Sequence, residues 1–146
     1  LGLTDKKIIG FDTFSGFVET GEFYDTYIDQ YGKNSFLYNS REEVAQNLEK
    51  FENVHLVEGD IQKTVKFFDD DIKICMALFD MDEYTPAAIA LQPVFNKLSS
   101  GGFIVHDHYA FPSLSNGMYG QRQAMNEFLS KNNLFHLTGT NIFMKY

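Results

Sequence analysis

Two short apolar runs limit what this chain can fold into, because each stops at a cluster of ionisable groups. Ile74-Cys75-Met76-Ala77-Leu78-Phe79 is followed by Asp80-Met81-Asp82, and Phe103-Ile104-Val105, opened by Gly101-Gly102, is followed by His106-Asp107-His108. Runs this short and apolar read as buried strands. As parallel neighbours they bring both clusters to one edge of a sheet. Open α/β sheets bind their ligands there, outside the carboxyl ends of the strands.

The remaining chain repeats the pattern. Lys7-Ile8-Ile9-Gly10-Phe11 reads as a strand ending at Asp12-Thr13-Phe14, and Val54-His55-Leu56-Val57 as one ending at Glu58-Gly59-Asp60. Ser40-Arg41-Glu42-Glu43 fits a capping box for a helix with Val44, Leu48 and Phe51 on one face. Thr85 and Pro86 suit a helix start, with Leu91, Val94, Phe95 and Leu98 facing inward and a kink expected at Pro93. Ala124, Phe128 and Leu129 mark the inner face of a late helix. Residues 135–138 and 141–146, separated by Gly139-Thr140, read as a closing antiparallel hairpin. Alternating strands and helices predict a single α/β domain over residues 1–146 with a mostly parallel sheet. The closing hairpin is typical of sheets in methyltransferases that use S-adenosylmethionine (SAM). Residues 15–38 are aromatic, dotted with glycine and without period, apart from a short helix near residues 23–31. They read as an insertion or lid, and loops of this length are usually functional.

Composition removes several classes. A hydrophobic content of 44% excludes a disordered chain, and a net charge of −8 argues against nucleic acid or an anionic membrane as partner. No stretch approaches the ~20 apolar residues of a membrane span, and no signal-peptide pattern is present, so a cytoplasmic location is expected. Cys75, the only cysteine, sits in an apolar run and is expected in the core. Asp69-Asp70-Asp71 reads as a solvated turn.

Each candidate site residue has a functional and a plain structural reading. Asp12, at the end of an early strand, suits the ribose hydroxyls of a nucleotide cofactor, or forms a turn with Thr13 and Ser15; Phe14, Gly16 and Phe17 leave an apolar wall and room for close approach. Gly59-Asp60-Ile61 can set a carboxylate near an adenine amino group and an apolar side chain on its ring, although Asp60 alone better suits a helix cap. Asp80 and Asp82, two apart on an extended segment, would point to one side and suit a hard divalent cation, or a metal ligand and a general base. His108 and Asp107, opposite Asp80, make a carboxylate-rich metal site with one imidazole. His106 is expected to be packed, and His55 and His136 structural. Arg122, at the start of the late helix, pairs with an acid of the site or is a surface residue.

Together these segments resemble macrocin-type sugar O-methyltransferases. Asp12-Thr13-Phe14-Ser15-Gly16-Phe17 resembles the family's D-[ST]-F-x-G-[LF] segment. Phe79-Asp80-Met81-Asp82-Glu83-Tyr84-Thr85-Pro86 resembles L-D-x-D-x-Y-x-[PS]-T. Lys97-Leu98-Ser99-Ser100-Gly101-Gly102-Phe103-Ile104-Val105-His106-Asp107-His108-Tyr109 resembles K-L-x-P-G-G-x-[IV]-[IV]-x-D-D-Y. Gly120-Gln121-Arg122-Gln123-Ala124-Met125-Asn126-Glu127-Phe128 resembles G-x-R-x-A-V-D-E-F. The blocks occur in the family's order from about Lys7 to Tyr146.

The resemblance implies a Rossmann-like fold that transfers a methyl group from SAM to a sugar or glycoside hydroxyl. It implies cofactor contacts at Asp12, Thr13, Phe14, Gly59, Asp60 and Ile61, and a divalent ion, magnesium or manganese, at Asp80, Asp107 and His108. Asp80 or Asp82 is then the proton acceptor. In this setting residues 17–38 would form a substrate lid or pack a homo-oligomer interface. Two departures stand out. His108 occupies the place of a second Asp, and imidazole better suits manganese, iron or zinc than magnesium. The family's first strand and Gly-rich loop do not precede Lys7, so the chain is expected to be the C-terminal part of a longer enzyme, with a gap between the Asp12 and Asp80 strands. The D-x-D pair also fits a metal-dependent nucleotide-sugar glycosyltransferase, and the departures fit a degenerate module without activity.

Overall fold

The computed structural model describes residues 5–19, 32, 35–68, 71–107, 109 and 119–146, and all structural statements concern these. The expected start (residues 1–4), the expected helix near residues 23–31, Asp69, Asp70, His108 and the loop at 110–118 lie outside them. In chain order the elements are β1 (Ile8–Asp12), α1 (Arg41–Leu48), β2 (Val54–Glu58), α2 (Ile61–Thr64), a 3-10 turn (Val65–Phe67), β3 (Ile74–Phe79), α3 (Tyr84–Lys97), β4 (Leu98–His106), α4 (Tyr119–Leu129), β5 (Leu134–His136) and β6 (Ile142–Lys145).

Local signals set most boundaries. At the start of α1 the Ser40 hydroxyl accepts from Glu43 N, and the Glu43 carboxylate accepts from Ser40 N, which satisfies two orphan helix donors. No residue of α1 is buried, however, and Phe51 is exposed, so the expected inner face is only lightly covered. The helix after β3 begins one residue before Thr85: Glu83 holds the cap position, and Thr85 and Pro86 lie in the first turn. α3 continues through Pro93. At its end Lys145 Nζ donates to Phe95 O and Leu98 O, each at 2.8 Å, placing a cation on the negative pole of the helix. The β5–β6 connection turns at Gly139, whose φ of +79° is one glycine adopts freely.

Among the described residues the strands form two sheets. β1 and β2 pair in parallel, with Asp12 opposite Glu58. The other sheet has the order β3-β4-β6-β5; β3 and β4 are parallel, and β6 runs antiparallel to both β4 and β5. This is the expected parallel sheet with a closing hairpin, divided at the expected place, since β1 does not pair with β3. β4 starts earlier than its apolar run implied, at Leu98, and the register against β3 shifts between Ile74 and Met76. The shift falls at the double glycine. Gly101 has φ +76°, and a Cβ on Gly102 would lie 2.9 Å from Ser99 O and 3.1 Å from Ile74 O.

The core lies between the four-stranded sheet and helices α3 and α4. Phe79, Ile104 and Phe143 project from three adjacent strands onto Leu91, Ala124 and Met125 of the helices. Each large side chain buried this way contributes roughly 1.5–3 kcal/mol. The alternate residues Met76 and Leu78, Phe103 and Val105, Ile142 and Met144, and Phe135 face the other way. Met76 and Leu78 are 52% and 60% exposed, so the described residues cover only one face of this sheet. Cys75, expected in the core, is exposed as well. Among the described residues β3 is the outer strand of this sheet.

Candidate active site

The carboxyl ends of the parallel strands carry two groups of candidate residues. At the end of β1 and β2, Gly59 N donates to Asp12 O at 2.8 Å, which draws the two strand ends together. Asp12 Oδ1 accepts from Phe14 N at 2.7 Å, and Ser15 N donates to Thr13 Oγ1 at 3.2 Å. Thr13 Oγ1 in turn donates to Gly16 O at 2.6 Å. This net holds Phe14 at φ +50°, a conformation that costs a bulky L-residue on the order of 1–3 kcal/mol. Asp12 is thus both a turn former and an exposed carboxylate at a strand end. Asp60 caps α2 through Oδ1, which accepts from Gln62 N at 2.9 Å. The structure therefore realises the capping role, with Ile61 opening the helix and Gly59 at φ +132° before it.

At the end of β3 and β4, Phe79 pairs with His106, so Asp80 and Asp107 leave the sheet side by side; Asp107 N donates to Phe79 O at 2.8 Å. Asp80 is exposed and Asp107 half-buried. Asp80 and Asp82 do not lie on one extended segment as their spacing implied. β3 stops at Phe79, Asp82 has φ +60°, and Glu83 N donates to Met81 O, closing a γ-turn centred on Asp82. Strand alternation therefore does not govern where these two carboxylates point. Among the described residues no group of three His, Cys, Asp or Glu is gathered as a metal centre requires, and His108, expected as a third ligand, lies outside them.

The residue that organises this loop is Gln121, in the first turn of α4, and it is buried. Its Oε1 accepts from Met81 N at 2.6 Å and from Asp82 N at 3.1 Å. Its Nε2 faces Phe79 O at 3.1 Å and Asp107 O at 3.2 Å. Two N–H groups on one side and two carbonyls on the other fix which end of the amide is oxygen. His106 is fully buried beneath it, parallel to the Phe79 ring. His106 Nε2 lies 3.0 Å from Gln121 O and so carries a proton that it donates. Nδ1 lies 3.1 Å from Asp107 O and 3.3 Å from Gln121 Nε2. His106 is thus the packed histidine its sequence context predicted. His136 is structural too: it stacks on Phe143, and its Nε2 donates to Thr140 O at 2.9 Å. Arg122 sits over the Tyr109 ring, 5.4 Å from its centroid, rather than on a site acid.

Burial holds the pKa of His106 below its ordinary 6.5, against smaller upward pulls from the Asp107 and Gln121 carbonyls and the Asp107 carboxylate. On acidification the unfolded chain takes up this proton before the native one does. Stability from the neutral ring is therefore complete above about 6.5 and is lost as pH falls toward the depressed native value. The urea midpoint is expected to drop between pH 7 and 5, and His106→Gln, which keeps a donor but does not titrate, should flatten that drop. An equal slope in both proteins would show that another group is responsible.

The family model for macrocin O-methyltransferase (TylF) matches residues 1–140, nearly the whole chain and both pairs of strand ends. The chain belongs to the macrocin O-methyltransferase family. Solved structures agree on the fold. The O-methyltransferase NovP superposes with a TM-score of 0.76 at 21% identity, over 97% of this chain and 60% of its own. The calicheamicin methyltransferase CalS11 gives 0.71 at 23% identity, over 96% and 60%. A methyltransferase from Podospora anserina, PaMTH1, solved with S-adenosylhomocysteine (SAH), gives 0.53 at 18% identity, over 97% and 71%. The chain therefore spans about three-fifths of the length of the first two. Among curated proteins none matches significantly.

In this family member, sequence reasoning located both strand-end clusters but passed over Gln121. Its signal was a polar residue between Gly120 and Arg122 at a helix start, and attention falls on the charged neighbour. Nothing in that local pattern states that the amide is buried under another strand end.

Proposed function

We propose that the protein carrying this chain transfers a methyl group from SAM to a hydroxyl of a sugar or similar polyhydroxylated small molecule, assisted by a divalent ion. The observation that carries this reading is the family match across residues 1–140, which includes every acid-bearing strand end described above. The antiparallel β6 between β4 and β5 also supports methyl transfer over a glycosyltransferase reading of the D-x-D pair. CalS11 is a TDP-rhamnose 3'-O-methyltransferase, which makes a nucleotide-linked deoxysugar the first substrate class to test. No helix among the described residues is long and apolar enough to cross a membrane; a cytoplasmic location belongs to the same proposal.

The strand ends carry candidate residues for the groups this reaction would need. Asp80 and Asp107 are carboxylates at adjoining strand ends, hard oxygen donors of the kind magnesium or manganese takes. With His108 they would hold the ion, and the imidazole favours manganese. Asp12 would accept from the ribose hydroxyls of SAM, with Thr13 and Phe14 shaping the turn, and Gly59, Asp60 and Ile61 would border the adenine. The ion would supply positive charge that lowers the pKa of a sugar hydroxyl, and SAM an electrophilic sulfonium methyl. Asp82 or Asp80 would accept the hydroxyl proton, and SAM would supply the methyl group and leave as SAH. The rest is alignment of oxygen, methyl carbon and sulfur in line.

The direct test incubates the intact protein with SAM, manganese or magnesium, and a series of TDP-deoxysugars and glycosides, and follows SAH and methylated product by mass spectrometry. Sugar-dependent SAH formation is the expected result. Release of nucleotide diphosphate without methylation would overturn the reading in favour of glycosyl transfer.

A further inference from the structure

We infer that Gln121 is the positioning residue of the carboxylate site. It holds the Asp80–Asp82 turn and the Asp107 strand end in one fixed relation, and this role rests on the methyl-transfer reading above.

The argument starts from the conformation of the turn. Asp82 sits at φ +60° in a γ-turn of the rarer hand, a shape that free peptide does not favour. Something must select it. Gln121 Oε1 gathers Met81 N and Asp82 N onto one acceptor, at 2.6 and 3.1 Å. The backbone of the same residue completes the grip, with Gln121 N donating to Asp82 O at 3.2 Å. On its other side the amide reaches Phe79 O and Asp107 O, at 3.1 and 3.2 Å, so one planar group spans the ends of both strands. His106 anchors the backbone of the same residue, its Nε2 donating to the Gln121 main-chain O at 3.0 Å. A merely filling side chain would need none of these bonds. A rigid amide between two strand ends sets the relative placement of the carboxylates that leave them, and in-line methyl transfer depends on such placement.

The role predicts effects confined to this turn. In Gln121→Met, which keeps length and shape but not the hydrogen bonds, hydrogen exchange at the Met81 and Asp82 amides should rise roughly tenfold or more. Exchange at Ile104 and Phe143 should stay near the wild-type rate. In the intact protein kcat should fall roughly 100-fold while the KM for SAM stays within about twofold, because Gln121 acts at the hydroxyl side only. Unchanged kcat, or equal changes in kcat and KM, would overturn the positioning role. If Gln121→Met does not fold, the wild-type protein still decides: slow exchange at the Met81 and Asp82 amides and at the Gln121 side-chain amide is expected. Exchange at the rate of an exposed loop would overturn the inference. A wild-type protein without methyl transfer would refute the proposed function, and the exchange measurements would still judge Gln121.

Discussion

Asp80→Asn is expected to lower kcat by about 10²–10⁴, the range that loss of a positioned acid–base group or of metal-derived charge produces. The substitution keeps the size of the side chain and changes its charge. It lies on an exposed residue just past β3, so folding should be unaffected. SAH affinity should stay within about threefold, since the cofactor candidates sit on the other strand pair. Activity should also depend on added manganese or magnesium in the wild type and lose that dependence in the variant. Steady-state rates with and without chelator, together with calorimetric SAH binding, read all of this. Full activity in Asp80→Asn would remove Asp80 from both proposed roles.

The second large effect is expected at Asp12. Asp12→Ala should weaken SAH binding by about 10–100-fold, as follows when hydrogen bonds worth roughly 1.5–3 kcal/mol to a charged acceptor are lost. The residue also caps its own turn, because Oδ1 accepts from Phe14 N. Asp12→Asn separates the two functions: the amide oxygen can keep Phe14 at φ +50° while the charge is lost. An intermediate loss of affinity for Asp12→Asn is therefore expected. Equal affinity in wild type and Asp12→Ala would limit Asp12 to its turn.

The elements were legible because their signals are local. The capping box at Ser40 and Glu43, the apolar run of β3 and the turn at Gly139 each lie within a few residues. Errors arose where a neighbour decides. Cys75 lies in an apolar run yet is exposed, at the point where the β3–β4 register shifts between Ile74 and Met76. Asp80 and Asp82 have the spacing of one strand face, yet a contact from α4 bends the chain between them.

The sequence by itself determined the α/β alternation, the closing hairpin and the acids at the strand ends, because periodicity and turn chemistry act over short distances. Only the tertiary structure decided which strand ends adjoin and that one amide from the start of α4 ties the Asp80 turn to Asp107. Those bonds join residues 14 positions apart, as Asp107 and Gln121 are, to 40 apart, as Met81 and Gln121 are, and no local preference specifies them.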